Sequence, residues 1–210
     1  MPRWSSKIAY AVGLMVTDGN LSRDGRHLDL TSKDIEQLEN FNKCLSADHK
    51  ITWKVGGCGR MYPRIQFSDV ALYRWMLTIG LTPNKSKTIG IIKVPDKYFL
   101  HFLRGCFDGD GSSYSYWDKR WKSSYMIYTQ FISASRTHLE WIRDTIEDLL
   151  HVRGKIKKSG SVFQLTFAKK ASFVIYQNMY KNARIFLTRK KDKFEKAIIA
   201  GMEKLVNSQP

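Results

Sequence analysis

The chain has 210 residues, with 35 Lys and Arg against 19 Asp and Glu and a formal net charge of +16. An apolar content of 43% with 13% aromatics supports a packed core, in one large domain or two small ones, and excludes a disordered basic tail. A pI near 9.8 on a foldable chain points to a polyanionic partner, nucleic acid before an acidic membrane surface.

The first element is the apolar run Ile8–Val16, preceded by Arg3 and Lys7. Its basic flank is that of a signal peptide, but the run ends in Thr17, Asp18 and Gly19 with no small-residue cleavage site. An intracellular protein is expected, in a bacterial cytoplasm or an organelle. Next comes a helical pattern, Ile35, Leu38, Phe41 and Leu45, with Asp34 before it as a cap. Two strands, Ile51–Val55 and Met61–Phe67, flank Gly56-Gly-Cys-Gly59 and read as a hairpin. A helix from about Val70 to Ile79 and a basic stretch, Pro83-Asn-Lys-Ser-Lys-Thr-Ile89, complete this half. A linker over Gly90–Lys97 is marked by Pro95.

The pattern then begins again. Leu103-Arg-Gly-Cys-Phe-Asp-Gly-Asp-Gly111 repeats the outline of Ala11-Val-Gly-Leu-Met-Val-Thr-Asp-Gly19, with Gly13 and Gly105, Asp18 and Asp110, and Gly19 and Gly111 all at one constant offset. An enlarged hairpin around Trp117-Asp-Lys-Arg-Trp121 follows, then a helix through Leu139, Ile142, Ile146 and Leu149. Strands over Val152–Lys157 and Ser161–Phe167, a helix from about Ala171 to Tyr180, and the basic stretch Thr188-Arg-Lys-Lys-Asp-Lys-Phe194 match the first half in order. The chain therefore divides into two like halves of mixed helix and antiparallel strand, 1–92 and 93–210. Cys44, Cys58 and Cys106 are odd in number and lack metal-ligand spacing, so neither a disulfide framework nor a structural zinc is expected. No run has the length of a membrane-spanning helix.

Chemistry concentrates in the repeated nonapeptide. As helices, the two copies carry small residues on one face, Gly13 with Thr17 and Gly105 with Gly109, so two backbones can approach closely there. Asp18 and Asp110 fall at the helix ends, and Gly19 and Gly111 are placed as left-handed caps. A carboxylate at a helix C-terminus is electrostatically misplaced, because the last carbonyls already carry partial negative charge. A hard divalent cation resolves the conflict, and Mg²⁺ held by one or two carboxylates and a substrate phosphate is the usual form. The expected chemistry is metal-dependent phosphodiester hydrolysis.

With these residues in view, the chain resembles the LAGLIDADG homing endonucleases in their single-chain form with two motifs, over nearly its whole length from Ile8 to Phe194. The resemblance implies an α+β fold of two pseudo-symmetric αββαββα repeats. Gly13 and Gly105 would lie where the motif helices pack at the interface, and the antiparallel sheets would form a DNA-binding saddle. It also implies catalytic, metal-binding acids at Asp18 and Asp110, with the carbonyls of Thr17 and Gly109 beside the metal. Lys85 and Lys190 would be the lysines beside the two active sites, and Gln130 a candidate for holding the attacking water. Val16 departs from the motif, standing where the second copy keeps Asp108; Cys106 replaces an aliphatic residue. The final acids are both present.

The strand pattern separates an apolar face from a polar one. Tyr62, Arg64 and Gln66 alternate with Met61, Ile65 and Phe67, and Gln164 alternates with Phe163 and Leu165. Antiparallel ribbons fit the major groove, where Arg, Lys and Gln read base edges. Candidate DNA contacts are these residues with Arg23, Arg26, Lys54, Arg60, Tyr114, Tyr116, Lys119, Arg120, Lys122, Tyr125 and Tyr128. Lys155, Lys157 and Lys158 are assigned to phosphates. The expectation is a monomeric, Mg²⁺-dependent nuclease that breaks both strands of a long asymmetric DNA target. The rival reading on the same fold is an intron-RNA maturase or a non-cleaving DNA-binding protein.

Overall fold

A computed structural model describes residues 2–57, 59–121 and 124–207, with side chains up to Gly201. The chain folds into two compact units. The first takes in the chain up to Asp110 together with Arg184–Leu187, and the second Gly111–Ala183 with the chain from Thr188.

In the first unit, helix α1 (Ser6–Thr17) starts at Ser5, whose hydroxyl accepts the Ile8 N–H at 3.2 Å. Strands β1 (Gly19–Leu21) and β2 (His27–Thr31) form a short hairpin, followed by helix α2 (Ile35–Leu45). A second hairpin, β3 (Ile51–Val55) and β4 (Met61–Ser68), joins them in an antiparallel sheet of order β1-β2-β4-β3. Helix α3 (Val70–Thr78) is capped by Asp69, which accepts the Leu72 N–H at 2.8 Å. Pro63 sits in the interior strand β4 without breaking it. The β2 ladder ends one residue earlier, at Thr31 with Arg64, and the Pro63 carbonyl on that side accepts the Ser32 N–H. The ring has no N–H to return to Ser32, so the proline ends the β2 ladder at this point rather than interrupting it.

Helix α4 (Asp96–Gly109) closes this unit. Every residue of α1 from Ala9 to Val16 is buried, because the helix is covered on several sides rather than along one stripe. Its closest neighbour is α4, and glycine makes the approach possible. A Cβ on Gly13 would lie 2.3 Å from the Phe102 carbonyl oxygen, and one on Gly105 would lie 2.2 Å from that of Tyr10. Thus α4, which opens the second copy of the repeat, packs with the first. The sequence copies divide near residue 92, whereas the compact units divide between Asp110 and Gly111.

The second unit repeats the plan. Strands β5 (Ser112–Trp117) and β6 (Tyr125–Ser133) are followed by helix α5 (Arg136–Leu150), strands β7 (Lys155–Ser159) and β8 (Val162–Ala168), and helix α6 (Lys170–Tyr180). Sheet order is β5-β6-β8-β7, the same arrangement as in the first unit. Phe131, Ile142, Ile146, Leu165, Phe167 and Ile175 form its core. The first hairpin is enlarged relative to its counterpart, as the aromatic run around Trp117 predicts. A 20-residue helix, α7 (Thr188–Asn207), extends far beyond the expected basic stretch. The apolar spacing Phe194, Ala197 and Ile198 was its signal.

One expectation is corrected. Neither Gly19 nor Gly111 adopts the left-handed conformation expected of a helix cap. Asp18 and Asp110 are the caps, both with right-handed backbone; a strand begins at Gly19 after the first and at Ser112 after the second. Gly19 is needed for space instead, since a Cβ there would meet the Met15 Cα at 2.5 Å.

Candidate active site and nucleic-acid interface

Asp18 and Asp110 end the two helices that cross at Gly13 and Gly105, and both belong to the first unit. Asp18 is half-buried and Asp110 exposed. The two helix ends are close. A Cβ on Gly109 would lie 2.0 Å from the Thr17 hydroxyl and 3.0 Å from Asp18 Oδ2. Lys85, in a single 3₁₀ turn over Lys85–Lys87, is only 7% exposed and donates from Nζ to the Gly19 carbonyl. Burial pushes its pKa down to about 8, while the charges of Asp18 and Asp110 pull in the opposite direction. One ammonium thus senses both acids, and its proton is unusually loosely held for a lysine.

Gln37 completes the surroundings of Asp18. Its amide donates to Asp18 Oδ2 at 2.7 Å from a side chain only 1% exposed. Sequence reasoning missed it: the residue is polar, on a helix whose apolar spacing drew the attention. Its signal was position, the third residue of α2, since the third residue of α5, His138, is also buried. In the second unit Lys190 repeats the Lys85 contact, donating from Nζ to the Gly111 carbonyl at 2.8 Å. Gln130 lies on β6 and donates to Gln164 at 3.1 Å and Thr166 at 3.3 Å, so its amide is engaged across the sheet.

Among the described residues no group of three or more His, Cys, Asp or Glu could hold a metal ion. Two carboxylates at neighbouring helix ends, with the carbonyls of Thr17 and Gly109 before them, suit a Mg²⁺-like ion that takes its other ligands from water and phosphate. They do not suit a closed structural site, which needs a full protein ligand set.

Each sheet has one face covered by helices and one polar face. In the first, Lys54, Tyr62, Arg64 and Gln66 share the polar face with Asp29, whose carboxylate receives Arg64 Nη1 at 3.3 Å. Arg23 and Arg26 are exposed in the β1–β2 turn, and Arg60 precedes β4. In the second, Tyr114, Tyr116, Tyr128, Gln130, Gln164, Lys155 and Lys157 lie together. Tyr128 is stacked between Tyr114, at 4.9 Å, and Tyr116, at 5.9 Å. Tyr125 and Lys158 stand on the opposite, helix-facing side, paired in register with Trp117 and Phe163. Lys119 and Arg120 are in the β5–β6 turn; Lys122 lies outside the described residues. Across all eight described strands the single acidic residue is Asp29. Among the described residues no helix is long and apolar enough to cross a membrane.

No protein-family model matches the sequence, and no match was found among curated proteins. Solved structures do match. The homing endonuclease I-WcaI bound to its DNA recognition sequence superposes with a TM-score of 0.63 at 15% identity, over 92% of this chain and 88% of that one. I-DmoI in complex with DNA and Mn gives 0.54 at 16%, over 85% and 98%. Full-length DUF199/WhiA from Thermatoga maritima gives 0.60 at 15% over 95% of this chain, which spans 62% of the length of that protein. The fold is therefore the two-repeat α+β fold of the LAGLIDADG structures.

Proposed function

We propose that this chain is a divalent-metal-dependent endonuclease that binds double-stranded DNA on the polar faces of its sheets and hydrolyses it at Asp18 and Asp110. A fold hosts many activities, so the reading rests on the site. The observation that carries it is the convergence of two acid-capped helix ends on one buried lysine. That combination is costly for stability and has an evident use only beside a cation and a phosphate.

The carboxylates of Asp18 and Asp110, with the carbonyls of Thr17 and Gly109, would hold Mg²⁺. When bound, the ion supplies an acidified water and neutralises charge on the phosphate. Gln37 keeps Asp18 Oδ2 in one orientation. The Lys85 ammonium stands ready for the negative charge that develops on phosphate oxygens, and its low pKa lets Nζ exchange a proton near neutral pH. Lys190, on the Gly111 carbonyl, would offer its positive charge in the second half. The strands, nearly free of acids, would lie in the major groove, with Arg64, Gln66 and Gln164 at base edges and Lys155 and Lys157 at phosphates. A monomeric, intracellular enzyme acting on a long asymmetric target at an intron-homing site fits two unequal sheets in one chain.

The second reading is a nucleic-acid binder that does not cut, acting on DNA or on its own intron RNA. It is favoured by the likeness to full-length DUF199/WhiA, whose match extends over 95% of this chain. A plasmid library carrying randomised targets, incubated with Mg²⁺ or EDTA, separates the two. Linear product is expected with Mg²⁺ alone, and Asp18→Asn and Asp110→Asn should each bind DNA but yield no linear product. Cleavage surviving either substitution would refute the roles given to the acids. Tight binding of structured RNA with no cutting by the unaltered protein would establish the second reading.

A further inference from the structure

The polar face of the second unit's sheet is divided along its strands. Two neighbouring rows cross it in register, Tyr116 with Met126 and then Tyr114 with Tyr128 and Ala168. Neither row holds a charged or amide side chain, whereas the next carries Gln130 and Lys155. Cations therefore stand at both ends of an aromatic patch, Lys155 at one and Lys119 with Arg120, in the β5–β6 turn, at the other. The acid of that turn, Asp118, accepts the Arg120 N–H at 2.9 Å. Such a patch suits a polyanion that presents apolar groups.

Tyr114 is 41% exposed and Tyr116 47%. Tyr128 lies between them, with both rings inclined to its own by 17°. A base cannot stack on Tyr128 without opening the set, so the patch is not built to hold unpaired bases. Nor can a phenol hydroxyl make the paired hydrogen bonds by which Arg marks guanine or Gln marks adenine. What Tyr114 and Tyr116 present is ring carbon, and the apolar group on a base edge in the major groove is the C5-methyl of thymine.

We propose that Tyr114 and Tyr116, braced by Tyr128, read pyrimidine C5-methyl groups in the DNA bound by the second unit. This rests on the reading that the sheets bind duplex DNA, and not on cleavage. Its consequence is a protein that senses the methyl rather than the base pair: 5-methylcytosine should pass for thymine there, and uracil should not.

The test selects duplexes from a randomised library in EDTA, so that binding is read without cutting. The selected duplex is then resynthesised with deoxyuridine in place of each thymidine in turn. Affinity should fall about fourfold at one or more positions, the loss expected for one methyl left unburied. A C·G pair placed there should be bound about fourfold more tightly with 5-methylcytosine than with cytosine. Both arms use the unaltered chain, so neither depends on a variant folding. Between them, Tyr114→Ser and Tyr116→Ser should abolish the difference, and Tyr114→Phe should keep it; Lys155→Ala should weaken thymine and uracil duplexes alike. Equal affinity for thymine and uracil at every position, or a difference that survives both serine variants, overturns the proposal. So does a preference for the single strand over the duplex, the mark of base stacking. Failure to enrich any duplex overturns the DNA reading and this proposal together. A duplex that shows the methyl effect but is never cut with Mg²⁺ supports the proposal and refutes the nuclease reading alone.

Discussion

Replacing Gly105 by alanine should destabilise the first unit, although alanine is the better helix former. In an exposed helix the exchange would add about 1 kcal/mol of stability. Here the new Cβ would stand 2.2 Å from the Tyr10 carbonyl oxygen and 3.0 Å from the Gly13 Cα. Both neighbours are backbone, so no rotamer change relieves the clash, and α1 and α4 must part by about 1 Å. Because α1 is buried from Ala9 to Val16, parting loosens contacts along more than two turns. Overpacking of this kind costs about 3 kcal/mol, and subtracting the propensity gain leaves about 2 kcal/mol of net loss. That corresponds to about 4–8 °C in Tm for a chain of this size. Urea unfolding followed by far-ultraviolet circular dichroism measures it, with Gly90→Ala as control because a Cβ there meets nothing within 4 Å. The double substitution with Gly13→Ala should cost less than the sum, since helices already parted for one methyl admit the other. A Gly105→Ala midpoint at or above that of the unaltered chain refutes the account of the crossing.

Two further outcomes are expected. Lys85 ionises near pH 8 in the folded chain and near 10.5 unfolded, so between those values the unfolded state holds the extra proton. Stability should therefore rise with pH across that window by about 3 kcal/mol, and Lys85→Met should flatten the rise, as urea midpoints in EDTA at pH 7.5, 9 and 10.5 would show. DNA affinity should fall steeply with salt, and Lys155→Ala and Lys157→Ala should each lower the slope of log K on log salt by about 1, whereas Lys158→Ala, on the other face, should leave it unchanged.

The fold was legible where local chemistry repeats. Gly13 with Asp18 and Gly105 with Asp110 mark the paired helices, because close packing and a charged terminus both leave a trace in short spacing. Strand faces were legible from alternation, except at Tyr125 and Lys158, whose polar tips did not reveal that they share a face with Trp117 and Phe163. The missed contacts depend on distant chain. Gln37 acquires meaning only from Asp18, 19 residues earlier, and Asp108 only from Leu187, 79 residues later. The cap expected of Gly19 failed for a different reason: Asp-Gly is a common turn pair, but the chain here enters a strand at once.

The hydrogen bonds that Asn40, Arg104 and Asp108 make to residues 185–187 also order events in time. A ribosome releases Arg104 and Asp108 long before their partners, Ile185 and Leu187, which lie 81 and 79 residues further on. The second unit's sheet is made in the interval. The first unit, although begun first, therefore cannot be completed until both sheets of the chain have been made. A chain stopped after Tyr180 would contain both motif helices and both acids, yet it would leave a buried carboxylate and guanidinium without the backbone groups they bind in the finished protein.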